Sequence, residues 1–226
     1  IVIAAALMNA LKVVGKKKES ARIVICGAGS AGSAGGKLLL DMGFPNIIFC
    51  DRNGILCVGD PKLSPEHAAL AALSNPDHRQ GSLADAMRGA DVFIGVSGPG
   101  LLSSDMVRSM AKDSIILAMS NPTPEIMPDL AQEAGAAIVG TGRSDFPNQI
   151  NNVLVFPGLF KGALSVGALQ ITESMKHAAA YALAALIPED ELSPTCIIPS
   201  PLDPRAAIAV SEAVAMDAVR CGNVRA

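Results

Sequence analysis

The chain has 226 residues, half of them hydrophobic and 17% charged, which excludes a disordered or mainly solvated chain. The formal net charge of −3 and the lack of a long basic run argue against a nucleic-acid-binding protein. The longest uncharged run, residues 146–160, is interrupted by prolines and asparagines, whereas a membrane-spanning helix needs about 20 mostly apolar residues.

Short apolar runs alternate with helix-like segments from residue 22 to residue 140. Strands are predicted over residues 22–26, 46–50, 91–96, 114–119 and 136–140, and helices over residues 30–42, 64–74, 83–88, 103–111 and 125–134. The strands are continuously apolar rather than alternating, which is typical of a parallel sheet covered on both faces. With right-handed crossovers, this pattern predicts an α/β fold with a doubly wound, mostly parallel sheet of the Rossmann type.

The two ends of the chain are predicted to be mainly helical. Helices are expected over residues 1–14, over much of 157–186 and over 205–221, with a proline-rich irregular segment at 188–204. Ile1 is not a methionine and no basic segment or cleavage site of a signal peptide follows it, so we expect a piece of a longer protein. No repeat or change in composition divides the sequence, and residues 1–226 are expected to form one domain.

The five cysteines fit none of the familiar zinc spacings, because there is no Cys-x-x-Cys and no histidine lies near them. Cys26 and Cys50 fall within predicted strands, where a cysteine behaves as a small buried hydrophobic residue. Free thiols of this kind indicate a reducing compartment, so a cytoplasmic protein is expected.

Residues 27–32 form a Gly-x-Gly-x-x-Gly motif that follows one predicted strand and opens a helix. In a dinucleotide-binding loop, Gly27 would permit the tight turn, Gly29 would let a pyrophosphate approach the backbone, and Gly32 would allow close helix–strand packing. The free N–H groups of the helix N-terminus would bind the anion. The alternative is a glycine turn that binds no nucleotide.

Asp51 ends the next strand, 19 residues after Gly32, where an acidic residue accepts hydrogen bonds from a ribose diol. Its charge opposes a 2′-phosphate and therefore favours NAD over NADP. Arg52 weakens this preference for NAD, because an adjacent arginine can accept that phosphate, although an arginine after a strand is more often simply solvated.

Three later loops follow predicted strands, at the edge where α/β sheets bind ligands. They are residues 97–100, 120–123 and the asparagine-rich segment 141–152. Asn121 could hold a ribose, a carboxamide or a carboxylate, or could form only an Asx turn before Pro122. Segment 141–152 is either a ligand-contacting loop or a solvated one.

Motifs that would supply catalytic groups are missing from the sequence. It has no Gly-x-Ser-x-Gly elbow, no P-loop lysine, no His-Glu-x-x-His, and no evident carboxylate pair with a lysine or histidine base at the strand ends. On its residues alone, the chain looks like the cofactor-holding half of an enzyme without its acid and base.

Four segments carry a family resemblance: residues 27–32 with 51–54, residues 120–125, residues 141–153, and residues 156–158. Together they resemble the malic enzymes, specifically the C-terminal NAD(P)-binding domain of the shorter bacterial type. The third segment is the most specific, and the tail, with Pro199, Ser200, Asp203 and Arg205, is also similar. The resemblance covers essentially the whole chain but only about the second half of a malic enzyme.

The resemblance implies oxidation of malate by NAD or NADP and decarboxylation to pyruvate and CO2, assisted by Mg2+ or Mn2+. It places the lysine base, the tyrosine acid and the metal ligands in an absent N-terminal half, so neither a catalytic residue nor a metal ligand is expected here. This chain alone is expected to be inactive, and the full-length protein is expected to be a homodimer or higher homo-oligomer.

The resemblance also assigns Asn121 and Asn152 to positions near the substrate and the nicotinamide. The candidate cofactor-binding residues, from the motif and the resemblance together, are Gly27, Gly29, Ser30, Ala31, Gly32, Asp51, Arg52, Val96, Ser97, Asn121, Asn151 and Asn152. Two alternatives remain: another Rossmann dehydrogenase, such as an amino-acid dehydrogenase, against which Asn151 and Asn152 argue, and a non-catalytic nucleotide-binding module.

Overall fold

The computed structural model describes residues 1–225. Contacts between residues divide the chain into two compact units. The sheet unit is Val14–Pro147, and the helical unit combines Ile1–Val13 with the segment that begins at Asn148. The single domain expected over residues 1–226 stays a prediction.

The sheet unit contains six strands in the order β3-β2-β1-β4-β5-β6. Its strands are β1 (Ile23–Cys26), β2 (Ile47–Asp51), β3 (Gly54–Ile55), β4 (Val92–Gly95), β5 (Ile115–Ala118) and β6 (Ile138–Thr141). Its helices are α2 (Ser30–Asp41), α3 (Pro65–Leu73), α4 (Leu83–Met87), α5 (Ser104–Arg108) and α6 (Pro128–Glu133). This confirms the predicted doubly wound α/β sheet of the Rossmann type.

Five strands run parallel, and β3, which the sequence analysis did not predict, pairs antiparallel with β2. Every residue of β1, β4, β5 and β6 is buried, because helices cover both faces of the sheet. Cys26 is level with Cys50 on one side and with Gly95 on the other. The loops after β1, β2 and β4 therefore begin at the same sheet edge, and the strand order reverses between β1 and β4.

Serine side chains fix where several of these helices begin. Ser64, Ser82 and Ser103 each accept a hydrogen bond from a backbone N–H three residues later, at α3, α4 and α5 respectively. Such N-caps satisfy N–H groups that have no partner within the helix. Helix α6 begins at Pro128 rather than at the predicted residue 125, because Glu125 is fully buried and its carboxylate accepts hydrogen bonds from the loop after β4 and from its own loop.

The helical unit contains α1 (Val2–Val13), a short 3-10 helix (Asn152–Leu154), α7 (Phe156–Ser165), α8 (Glu173–Ala184) and α9 (Pro204–Arg220). Gly158 and Gly162 of α7 lie against α9, where a Cβ would stand 2.7 Å from the Ala207 oxygen and 2.3 Å from the Ser211 oxygen. The predicted helical segment 157–186 is interrupted after Ser165, because Gly167 takes a positive φ of 63°.

No helix in residues 1–225 combines the length and the apolar character needed to cross a membrane.

Candidate functional site

Two of the motif glycines have no room for a side chain. Gly27 has a φ of 111°, and a Cβ there would stand 2.7 Å from the carbonyl oxygen of Val96. A Cβ on Gly32 would stand 1.8 Å from the Gly27 oxygen. The loop after β1 is thus pressed against the end of β4 and the first turn of α2, the packing that the motif predicts.

Gly29 differs, because it lies beside open space. It is the N-cap of α2, its φ of −73° suits any residue, and a Cβ there would meet nothing within 4 Å. No side chain among residues 1–225 caps this helix, and Ser30 and Ala31 of its first turn are exposed. The N–H groups and dipole of a 12-residue helix therefore face outward beside a glycine that obstructs nothing.

Asp51 lies at the carboxyl end of β2, and each of its carboxylate oxygens has a polar neighbour. Its Oδ1 accepts a hydrogen bond from the backbone N–H of Asn53 at 2.7 Å, and its Oδ2 lies 3.3 Å from Nδ1 of His67 on α3. The Asp51 side chain is 16% exposed, so its carboxylate still reaches the surface. His67 could not be identified from the sequence, because its nearness to Asp51 arises only when the chain folds and brings the first turn of α3 to the end of β2.

Two clefts adjoin this part of the sheet edge. One, of about 380 Å3, is lined by Cys26, Asp51, Arg52, Ser97, Leu101 and Met106. The other, of about 550 Å3, is lined by Gly29, Ser30, Ser33, Lys37, Glu66 and His67. The structure therefore brings the glycine loop, Asp51, Arg52, Val96 and Ser97 together at the strand-order reversal, with an apolar wall on one side.

Glu125 connects the loops that follow β4 and β5. Its Oε1 accepts a hydrogen bond from the Ser97 N–H at 2.9 Å, and its Oε2 accepts one from the Ser120 N–H at 3.2 Å. It is fully buried against Gly95, where a Cβ would stand 2.4 Å from Glu125 Cδ. No feature of the sequence distinguished this acid from one at a helix start, and the interpretation of residue 125 as helical was wrong.

Asn121 is exposed in the loop after β5, and its bond to Pro122 is cis. Its amide lies against Gly142 of the next loop, where a Cβ would stand 3.1 Å from Asn121 Nδ2. The loops after β5 and β6 are therefore in contact, and Asn121 belongs to the same edge as the glycine loop.

Segment 141–152 has two parts with different environments. In the first part, which belongs to the sheet unit, Arg143 holds Asp145 through two hydrogen bonds of 2.8 and 2.6 Å and lies 5.6 Å from the Phe146 ring centre. The guanidinium lowers the pKa of the exposed Asp145 carboxyl. The Arg143 charge is thus matched within its own loop.

The second part of this segment belongs to the helical unit and uses its asparagines differently. Asn148 is buried, donating to the Pro194 oxygen at 2.8 Å and accepting from the Ile197 N–H at 3.0 Å. Asn151 Oδ1 caps the 3-10 helix by accepting from the Val153 N–H at 3.0 Å. Asn152, the first residue of that helix, is exposed. Asn148 and Asn151 therefore have structural bonds that asparagine content alone could not reveal.

A metal ion and a dinucleotide cofactor require different arrangements of side chains. Within residues 1–225, no three His, Cys, Asp or Glu side chains group in a way that could hold a metal ion. The residues of this sheet edge fit a dinucleotide: Gly29 leaves open space at the N-terminus of α2, and the Asp51 carboxylate lies beside the apolar cleft.

Comparisons with known proteins agree with this geometry. A family model described as "Malic enzyme, NAD binding domain" matches residues 1–221. The chain is 53% identical to the bifunctional malic/malolactic enzyme of Bacillus subtilis, covering all of this chain and 55% of that protein. It is 42% identical to the NADP-dependent malic enzyme of Escherichia coli, covering 98% of this chain and 31% of that protein.

A solved structure also resembles the chain. The crystal structure of an NAD-dependent malic enzyme from Thermotoga maritima matches it with a TM-score of 0.91 and 44% identity, over 95% of this chain and 56% of that one. The chain therefore spans little more than half of the Bacillus and Thermotoga proteins.

Proposed function

Because the chain belongs to the malic enzyme NAD-binding domain family, we propose that it holds NAD or NADP in an enzyme that converts malate to pyruvate and CO2. The single observation that carries this proposal is the open space at Gly29, at the N-terminus of α2, between two glycines that admit no side chain. A pyrophosphate can approach the backbone there, and the first-turn N–H groups can donate to it.

The other residues of the sheet edge would orient the rest of the cofactor. Asp51 would accept hydrogen bonds from the adenosine ribose, and the cleft that it shares with Leu101 and Met106 would take the adenine. Val96 and Ser97 would border the adenosine. When bound, the nicotinamide accepts a hydride from the substrate carbon.

Asn121 and Asn152 would position substrate and nicotinamide. An amide donates and accepts hydrogen bonds but does not exchange protons in the physiological range, so neither residue can serve as base or acid. A contact between Asn151 and the cofactor stays a prediction. Its Oδ1 atom forms the cap, so its Nδ2 group would make that contact.

For the choice of cofactor, we propose NAD rather than NADP, because Asp51 carries a negative charge where a 2′-phosphate would lie. Relatives of both kinds resemble the chain: the Thermotoga maritima enzyme is NAD-dependent and the Escherichia coli enzyme is NADP-dependent.

The proposal makes this chain part of a longer protein. The base, the acid and the ligands for Mg2+ or Mn2+ would be supplied by residues outside this sequence, because this chain spans only 55% of the Bacillus relative and 56% of the Thermotoga one. The longer protein would be a homo-oligomer. It would lie in the cytoplasm, in keeping with five cysteines that are all free.

The experiment that tests this function compares the 226-residue chain with the protein encoded by its complete gene. The longer protein should form pyruvate from malate and reduce NAD+, measured at 340 nm, only when Mg2+ or Mn2+ is added. The chain alone should form none. Metal-dependent pyruvate formation by the purified chain would show that the catalytic groups are wrongly placed, and cofactor binding without turnover by the longer protein would favour the non-catalytic module.

A further inference from the structure

The contact between His67 and Asp51 has no role in the function proposed above. His67 lies on α3, whose N-cap Ser64 accepts the His67 backbone N–H at 3.2 Å. Its Nδ1 stands 3.3 Å from Asp51 Oδ2, and the two side chains are 27% and 16% exposed. The imidazole is thus held at the carboxylate by its position in the first turn of a helix.

The pair lies between the two clefts at this sheet edge. Asp51 lines the cleft that contains Arg52, Ser97 and Leu101, and His67 lines the cleft that contains Lys37 and Ser30. A group that projects from a ribose bound at Asp51 would therefore meet His67. Lys37 adds a positive charge to the second cleft and Glu66 a negative one.

We propose that His67 is a specificity-determining residue that sets the discrimination between NAD and NADP by acting on Asp51. The proposal rests on the proposed function, in which Asp51 receives the adenosine ribose. A 2′-phosphate brings negative charge beside a carboxylate, and that repulsion is the basis on which Asp51 favours NAD. With its Nδ1 3.3 Å from Asp51 Oδ2, the imidazole places a polar ring edge beside the carboxylate and reduces the negative potential there, so it makes the site more tolerant of NADP.

The consequence for binding is specific in direction. Without His67, Asp51 keeps its full negative potential, and NADP affinity falls while NAD affinity changes little. The expected increase in the ratio Kd(NADP)/Kd(NAD) is about threefold to fivefold, the size of a partly exposed pair interaction. With a neutral residue at position 51, the imidazole has no carboxylate to act on, and its removal should leave the ratio unchanged.

A double-mutant cycle tests this inference on the 226-residue chain. The dissociation constants of NAD+ and NADP+ are measured by calorimetry for the wild type, His67→Ala, Asp51→Asn and the double variant. The ratio Kd(NADP)/Kd(NAD) should rise in His67→Ala. It should have the same value in the double variant as in Asp51→Asn. His67→Gln, which keeps an N–H donor near Asp51, should restore the ratio toward that of the wild type.

Two results would overturn the proposal. An unchanged ratio in His67→Ala means that the residue has no part in specificity, and a ratio that rises equally with Asn at position 51 means that the imidazole contacts the phosphate directly. In either case NAD+ still binds, which separates these results from a failure of the proposed function, where wild-type chain binds neither nucleotide. Thermal melting of each variant confirms that it is folded.

Discussion

The fully buried carboxylate of Glu125 accepts a hydrogen bond from the backbone N–H of Ser97 at 2.9 Å, although 28 residues separate them in the chain. Its second oxygen accepts the N–H of Ser120. One side chain therefore fixes two of the loops at the edge where we propose that the cofactor binds. Each of the two carboxylate oxygens thus serves one backbone N–H group.

Replacing this acid should destabilise the sheet unit. In Glu125→Gln, the amide NH2 group faces one of the two backbone donors, and an unsatisfied buried N–H costs about 1–3 kcal/mol. We therefore expect the free energy of unfolding, measured by urea denaturation, to fall by about that amount. Glu133→Gln, at an exposed position near the end of α6, is the matched control and should change it by less than about 0.5 kcal/mol. Equal stability of the two variants would contradict a bridging role for Glu125.

The cysteines should differ widely in reactivity. Burial raises the pKa of Cys26 to about 11, with a further contribution from Glu125, and raises that of Cys50 to about 12, whereas Cys221 is exposed. Because the thiolate is the reactive form, at pH 8 only about one Cys26 thiol in a thousand is ionised. A thiol reagent should therefore label Cys221 first, and Cys26 and Cys50 only after unfolding. Cys221→Ser should remove the fastest phase, and labelling of Cys26 or Cys50 at the rate of Cys221 in folded protein would be inconsistent with their burial.

Asn152 should matter for malate more than for the cofactor. It is exposed at the start of the 3-10 helix, so its replacement leaves no buried cavity and removes only the hydrogen bond that we propose it makes to the substrate. In the longer protein, Asn152→Ala should lower kcat/KM for malate by about tenfold to a hundredfold, which corresponds to roughly 1–3 kcal/mol. The Kd of the cofactor should change less than threefold, and Asn223→Ala offers a comparison at another asparagine of the helical unit. Malate kinetics equal to those of the wild type would remove Asn152 from the site.

Much of the sheet unit could be predicted because its signals are local. Continuous apolar runs marked the strands, and glycine spacing marked the turn into α2, where Gly27 and Gly32 are packed as the motif requires. The antiparallel β3 has only two residues, too few for any periodicity.

The parts of the site that the sequence did not reveal depend on tertiary packing. Residue 125 looked like the start of a helix, because nothing in its neighbours shows that the chain folds its carboxylate under two loops. His67 looked like an ordinary helix residue, because only the folded chain brings it within 3.3 Å of Asp51. The asparagines of the segment after β6 looked alike, but burial separates Asn148 from the exposed Asn152.

The central claim is that the glycine loop binds a dinucleotide, and titration of NAD+ into the 226-residue chain with Gly29→Val tests it most directly. A valine at this position meets no protein atom at its Cβ and needs no unusual φ, so the variant should fold, yet its side chain occupies the space proposed for the pyrophosphate. Ala34→Val places the same side chain on an exposed part of α2 and serves as the control. We predict that the control binds like the wild type and that Gly29→Val binds at least about tenfold more weakly, a loss of about 1.4 kcal/mol. Equal affinity in all three proteins would contradict the assignment of this loop.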